Sequence, residues 1–399
     1  MLSLIPQGFA VGLSNLLVIL FLASSLKGSV LEVGLLACTT SLVLMPSMVF
    51  WGWMADRARM YRPFLIFSFV ATGAVLLLVP MVHSVLELFA VAVVKSVAYA
   101  ASMPSRQILM AESESHASWR SGFARLQFLE CLGETAGLGI GFVSSSALGF
   151  EGQFFLCGGL FFASALAVAG WVRDPVLVIE RRLVGIERFA DTLVTASTLV
   201  ANAHAFPGYT TPGSIRRIFK PTLGFFMFGV FCFSLGAAAL SSPLPVYFLR
   251  FYPASSVFLL FFANNLGNTV GYLLVGGIAE RPRRSLLMAA ALRMATIPAL
   301  FLVGGGQVGF TAGFGLLAVM GGVWALFDVA STCMFLELAR SGRVGLYGAF
   351  AGFGSAAGAL LGGAVSMSYG FAVTFATCSL VYAVALAMFA MQFRGQRSE

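Results

Sequence analysis

The sequence predicts an all-α integral membrane protein, with twelve transmembrane helices in two pseudo-symmetric six-helix bundles. Three observations carry that expectation. First, residues of the AVILMFWYC set make up 59% of the 399 residues and charged residues only 10%, with a mean hydropathy of +0.92. A soluble domain carries roughly 25% charged residues, so this inventory cannot cover a water-facing surface. Second, apolar runs of about 20 residues recur along the chain, the length that crosses about 30 Å of hydrocarbon at about 1.5 Å per residue. A transmembrane β-barrel would show ten-residue alternating segments instead. Third, features of the first half return in the second at a nearly constant offset.

In chain order, the first six spans are expected over 5–25, 31–54, 63–82, 85–109, 121–148 and 153–172. No Lys or Arg precedes the first, Lys27 being the earliest, and no small-residue cleavage site follows it, so it is expected to stay as span 1. The stretch 174–220 carries charges, Pro175, Pro207, Pro212 and the turn cluster Gly208 to Gly213. It reads as a cytoplasmic linker, with 178–204 as an amphipathic helix on the membrane surface. The other six spans are expected over 221–241, 255–279, 285–304, 308–336, 343–367 and 370–393. Spans 4, 5 and 10 are long enough to tilt. The domains expected are thus 1–173, 174–220 and 221–399. The 44 glycines would weaken soluble helices but suit helices that pack closely in lipid.

Orientation follows from Lys and Arg. All 24 except Lys27, Lys95, Arg250 and Arg293 fall on turns and tails that share one side of the membrane. That bias predicts cytoplasmic N- and C-termini, in an inner or plasma membrane. Because the positives are spread over every turn of that side, the net charge of +8 is not a nucleic-acid footprint. The six cysteines fall one per span without a CxxC pair, and His83, His116 and His204 lie far apart. No metal site or cofactor is expected. With no Walker loop, HExxH or dinucleotide fingerprint, neither an ATP-driven pump nor an enzyme is expected.

The repeats are specific. Gly52-Trp-Met-Ala-Asp56-Arg57-Ala-Arg59 follows span 2, and Gly276-Gly-Ile-Ala-Glu280-Arg281-Pro-Arg283 follows span 8. Gly133, Gly137 and Gly141 in span 5 correspond to Gly354, Gly358 and Gly362 in span 11, and Glu112 ends span 4 as Glu337 ends span 10. This signature of duplication, with the Gly-x-x-x-Asp-Arg-x-x-x-x-Arg pattern ending at Arg62, resembles the major facilitator superfamily over the whole chain. The glycine run of span 5 is similar to the motif of that family's drug/proton antiporters, although position 138 is Leu where that motif has Pro.

The resemblance implies a secondary transporter working by alternating access about a midplane site. It also implies a cytoplasmic gate. Gly52 would let span 2 end close to a neighbouring backbone. Asp56 would reach the start of span 11 near 342–345, Glu280 the start of span 5, and Arg57 would pair with Glu112. The glycine runs of spans 5 and 11 are expected to pack at the interface between halves, against spans 8 and 2, as a smooth seam for rocking.

Charges within spans mark the expected site, because each costs at least about 2.5 kcal/mol at the bilayer centre unless paired or hydrated. Glu130 and Glu134 lie one turn apart on the face of span 5 that carries the glycines. Lys95 is equally far from the turn between spans 4 and 5, so a Lys95–Glu134 pair is expected at mid-membrane, with Glu130 one turn away. Asp328 in span 10 is a second proton or substrate candidate. Asn264, Asn265 and Asn268 in span 8 form a polar patch facing span 5, while Asn15 does the same in span 1 beside Gln7 and Ser14. Arg293 in span 9 is expected to snorkel or pair locally, that span being peripheral in the resembled fold. The leading expectation is proton-coupled efflux of amphiphilic or drug-like compounds, suggested by 39 Phe and 16 Met, with an uptake permease for a small metabolite as the alternative. The partners expected are a small-molecule substrate, protons as coupling ion and the lipid bilayer, with the chain acting as a monomer.

Overall fold

The computed structural model describes residues 5–58, 60–113, 119–172, 221–278, 282–304, 309–338 and 344–395, and among them every regular element is helical. The elements are α1 (Ile5–Ser24), α2 (Val30–Ala58), α3 (Arg62–Leu78), α4 (Val85–Ala100), α5 (Ser102–Ser113) and α6 (Trp119–Trp171). After the linker come α7 (Pro221–Ser241), α8 (Leu244–Leu249), α9 (Ala254–Ile278), α10 (Pro282–Gly304), α11 (Phe310–Leu338), α12 (Val344–Tyr369) and α13 (Phe371–Gly395). The expected linker helix lies outside the described residues.

Eleven helical stretches among the described residues are long and apolar enough to cross a membrane. One of them, Leu126–Trp171, is 46 residues long and doubles back. Gly149 adopts φ 59°, ψ −174°, a conformation open to a residue without Cβ. Gln153 Nε2 then donates to Gly141 O at 2.9 Å and to Ser144 Oγ at 3.1 Å. A straight helix would hold residues 141 and 153 roughly 18 Å apart. The expected spans 121–148 and 153–172 are therefore the two arms of α6. The expected span 85–109 steps between α4 and α5, where Pro104 has no N–H to offer the carbonyl of Ala100.

Local chemistry starts two helices. Ser84 and Glu87 form a capping box at α4: Ser84 Oγ accepts from Glu87 N at 3.3 Å, and Glu87 Oε2 accepts from Ser84 N at 3.2 Å and His83 N at 2.8 Å. Glu32 Oε2 likewise accepts from Ser29 N at 2.6 Å at the start of α2. These carboxylates satisfy helix-end N–H groups. Large apolar side chains such as Leu86, Leu166 and Trp171 stand largely exposed, a surface costly in water and ordinary in lipid.

The glycine stripes close helices within each half of the sequence. A Cβ on Gly133 would come within 2.9 Å of Gly8 Cα in α1, and one on Gly137 would overlap the carbonyl of Phe9. In the second half, Gly354, Gly358 and Gly362 meet the backbone of Phe231, Leu235 and Ala239 in α7. This corrects the expected seam. The stripes face α1 and α7, because a helix face without Cβ atoms lets a neighbouring backbone approach this closely; on α1, Gly8 and Gly12 answer from the other side. The two halves of the sequence do meet through the expected helix pairs, α6 on α9 and α2 on α12, but on other faces of those helices. There Gly34 faces Gly363, and Gly141 alone of its stripe touches α9, at the ring of Phe258.

Candidate functional site

A cavity of about 620 Å³ lies where both halves of the sequence contribute walls. Asn15 of α1 and Glu134 of α6 line it from the first half, and Asn264, Asn265 and Asn268 of α9 with Arg293 of α10 from the second. Leu16, Leu138, Phe261, Met320 and Trp324 supply apolar surface. Few polar groups converging on a largely apolar wall is the usual make-up of a small-molecule site.

Glu134 is placed by the tight α1–α6 contact, since a Cβ on Gly12 would overlap the backbone of Glu134 itself. Its Oε2 accepts from Asn265 Nδ2 across the α6–α9 contact at 3.4 Å. One residue on, the Thr135 and Thr269 hydroxyls share a hydrogen bond of 3.0 Å, and Asn268 Nδ2 approaches Cys131 Sγ at 3.5 Å. Asn264 turns the other way and donates to Leu317 O at 3.1 Å. Among the described residues, the α6–α9 contact is thus a row of weak polar links between halves of the chain, without an ion pair.

The expected Lys95–Glu134 pair is not formed. Lys95 Nζ donates instead to Ser14 Oγ and Asn15 Oδ1, each at 3.3 Å. Equal depth placed the two residues level, but α1 stands between them, its backbone closed on α6 by the glycine contacts. The cation that meets a carboxylate is Arg106 of α5: its Nη1 lies 2.6 Å from Glu130 Oε1. Arg106 is only 5% exposed, donates to Gln7 Oε1 at 3.3 Å, and lies 5.9 Å from the Tyr99 ring. Sequence reasoning counted Arg106 among the topology-setting positives. Its position inside the expected span 85–109 was the signal that it is buried. Among the described residues, Glu130 is therefore paired with a cation and Glu134 is not.

Arg293 departs further from expectation. It does not snorkel: it is 7% exposed and lines the cavity, with its guanidinium carbon 6.0 Å from the Trp324 ring centre. The α10 helix packs on α11 and α13, yet a side chain this long spans from a peripheral helix to the centre. Asp328 lies outside the cavity wall, where its Oδ2 accepts from Tyr272 OH at 2.7 Å.

Of the expected gate, Gly52 has only the Pro104 side chain nearby, at 3.5 Å from where its Cβ would be. That is ordinary contact, so no close backbone approach requires glycine there. Arg57 is exposed beside the Trp53 ring at 5.6 Å. Arg62 donates to Ala169 O near the end of α6, where the carbonyl end of a helix attracts a cation. The side chains of Asp56, Glu112 and Glu337, and residues Glu280 and Arg281, lie outside the described residues.

A profile of the Major Facilitator Superfamily matches residues 1–336. Among curated proteins, none matches the sequence. Among solved structures, a point mutant of the nucleoside transporter NupG superposes with a TM-score of 0.72 at 16% identity, covering 98% of each chain. A POT family transporter in complex with a thioalcohol-conjugated peptide superposes with a TM-score of 0.70 at 13% identity, covering 100% of this chain and 95% of the other. At such identities the likeness is one of fold. With a profile match over most of its length and a multi-pass helical architecture, the chain belongs to the Major Facilitator Superfamily of membrane transporters.

Proposed function

We propose that this chain is a proton-coupled secondary transporter of small polar organic solutes. It works by alternating access, with twelve crossings in two halves, 1–173 and 221–399, joined by a cytoplasmic linker. Both termini face the cytoplasm, and the protein acts as a monomer in the cell's inner or plasma membrane. The observation that carries this reading is Glu134: a carboxyl group on the cavity wall whose side chain is held, among the described residues, by the amide of Asn265 from the other half of the chain. Ionised, it needs solvent, solute or that amide. Protonated, it holds that amide less strongly and so loosens the α6–α9 contact. A proton there is exchangeable for solute, and its binding is coupled to the meeting of the two halves. Glu130 and Arg106 hold the first half together around this point, and Lys95 sets Asn15 beside it. The gate motifs at 52–62 and 276–284, with Glu112 and Glu337, are the proposed cytoplasmic closure.

Uptake of a polar metabolite is favoured over drug efflux by the cavity's amides and charges. The names of the structural neighbours, a nucleoside transporter and a POT family transporter in complex with a conjugated peptide, are in keeping with a polar solute. Efflux of amphiphiles is the second reading, on the strength of the apolar wall formed by Leu16, Phe261 and Met320. In proteoliposomes with an imposed pH gradient, a panel of labelled nucleosides, dipeptides and amino acids should include a solute that accumulates. Accumulation should vanish in Glu134→Gln and with a proton ionophore. Flux indifferent to the gradient removes proton coupling, and gradient-driven extrusion of an amphiphilic dye without accumulation of any polar solute establishes efflux instead.

A further inference from the structure

Arg293 has no role in that reading, and its surroundings ask for one. It is only 7% exposed at the wall of the same cavity, and its Nε finds no hydrogen-bond partner among the described residues. No carboxylate among the described residues pairs with it, and Glu130 is taken by Arg106. A guanidinium keeps its charge at any accessible pH, and a buried cation without a counter-charge is strongly unfavourable. Glu134, the carboxylate on the cavity wall, stands on α6 and is engaged with Asn265. On the first-half side the Lys95 ammonium sits behind Asn15 with two neutral oxygens as partners and a third donor to spare. Arg293 on the wall and Lys95 behind it thus set two cations against the one carboxylate of the lining, a balance that suits a negative group.

We infer that the solute carries an oxyanion, a carboxylate or a phosphate, and that Arg293 receives it from the second half of the chain. This rests on the proposal that the cavity is the solute site. The planar fork of Arg matches two oxygens of either group. The Trp324 ring beside the guanidinium holds its orientation, and the apolar wall accepts the rest of the solute. Because Arg293 belongs to one half and Glu134 to the other, an anionic solute would bridge the two halves while the Glu134 proton sets whether they can part.

The test uses matched probes on the purified full-length protein: benzoate against benzamide, uridine monophosphate against uridine, and alanyl-phenylalanine against its C-terminal amide. Binding is read from the thermal melt and from tryptophan fluorescence. At least one oxyanion probe should bind about tenfold to a hundredfold more tightly than its neutral twin, the range expected for a charge-assisted hydrogen-bonded pair. Arg293→Gln should erase that preference, and Arg293→Lys should keep part of it. Should Arg293→Gln fail to fold, Arg293→Lys carries the comparison by weakening the oxyanion probe while leaving its twin unchanged. The benzoate and uridine monophosphate arms separate a carboxylate site from a phosphate site. Twins that bind equally, a preference that survives both variants, or no binding by any oxyanion probe overturns the inference. Proton-driven flux of neutral solutes without oxyanion preference defeats this inference and leaves the transport reading intact. Oxyanion binding without any proton-driven flux does the opposite.

Discussion

Replacing Glu130 with Gln removes the charge that faces Arg106 and leaves the guanidinium where it is. Arg106 is 5% exposed, its Nη1 lies 2.6 Å from Glu130 Oε1, and it also meets the neutral Gln7 oxygen at 3.3 Å and the Tyr99 ring. Breaking a buried pair by deleting one partner costs about 3–5 kcal/mol. The lower end of that range applies, because Glu130 is 25% exposed and the pair is not fully enclosed. We therefore expect about 3 kcal/mol, read as a melting-temperature fall of several degrees in detergent. Arg106→Met should cost a comparable amount, leaving a carboxylate that is only partly exposed. The double variant should be less destabilised than the two single losses added together, by about 1–3 kcal/mol, since neither orphan charge then remains. The assay is a thermal double-mutant cycle on purified protein, with monodispersity checked at each corner. Additive losses would mean that the pair is not coupled, and the contrast between a Glu130 paired with a cation and a Glu134 held only by an amide would go with it.

Three further outcomes follow from the same geometry. In vesicles, Glu130→Gln should keep gradient-dependent flux at a reduced rate whereas Glu134→Gln loses it; equal loss in both would merge the two carboxylates into one function. Gly137→Leu or Gly358→Leu should abolish folded protein, since even a Cβ overlaps a neighbouring carbonyl, whereas Gly52→Ala, with 3.5 Å of room, should be recovered at wild-type yield by fluorescence-detected gel filtration. With Cys131 replaced by Ala, a Thr135→Cys/Thr269→Cys pair should cross-link on oxidation, since the native hydroxyls lie 3.0 Å apart across the α6–α9 contact. Transport should stop when the pair is oxidised and return on reduction. Full flux in the cross-linked state would mean that the halves need not part there.

Composition alone determined that this chain lives in a bilayer, because 10% charged residues cannot wet the surface of 399. Run length located the helices to within a few residues. Gly149 was readable as a break only through the gap left between two spans, and its reversal is a backbone conformation that needs glycine. The interior position of Glu130 and Glu134 was legible too, since they share a helix face with glycines that must face protein. Tertiary structure decided the partners. Depth along a helix is linear in residue number, but the direction in which a side chain points around the bundle depends on which helix stands between, and no spacing rule carries that. So Lys95 meets α1, Arg106 takes Glu130, and the glycine stripes close α1 on α6 and α7 on α12. Arg293 shows the same limit most plainly: a peripheral helix delivers a cation to the central cavity because its side chain is long enough and the packing leaves it a way through.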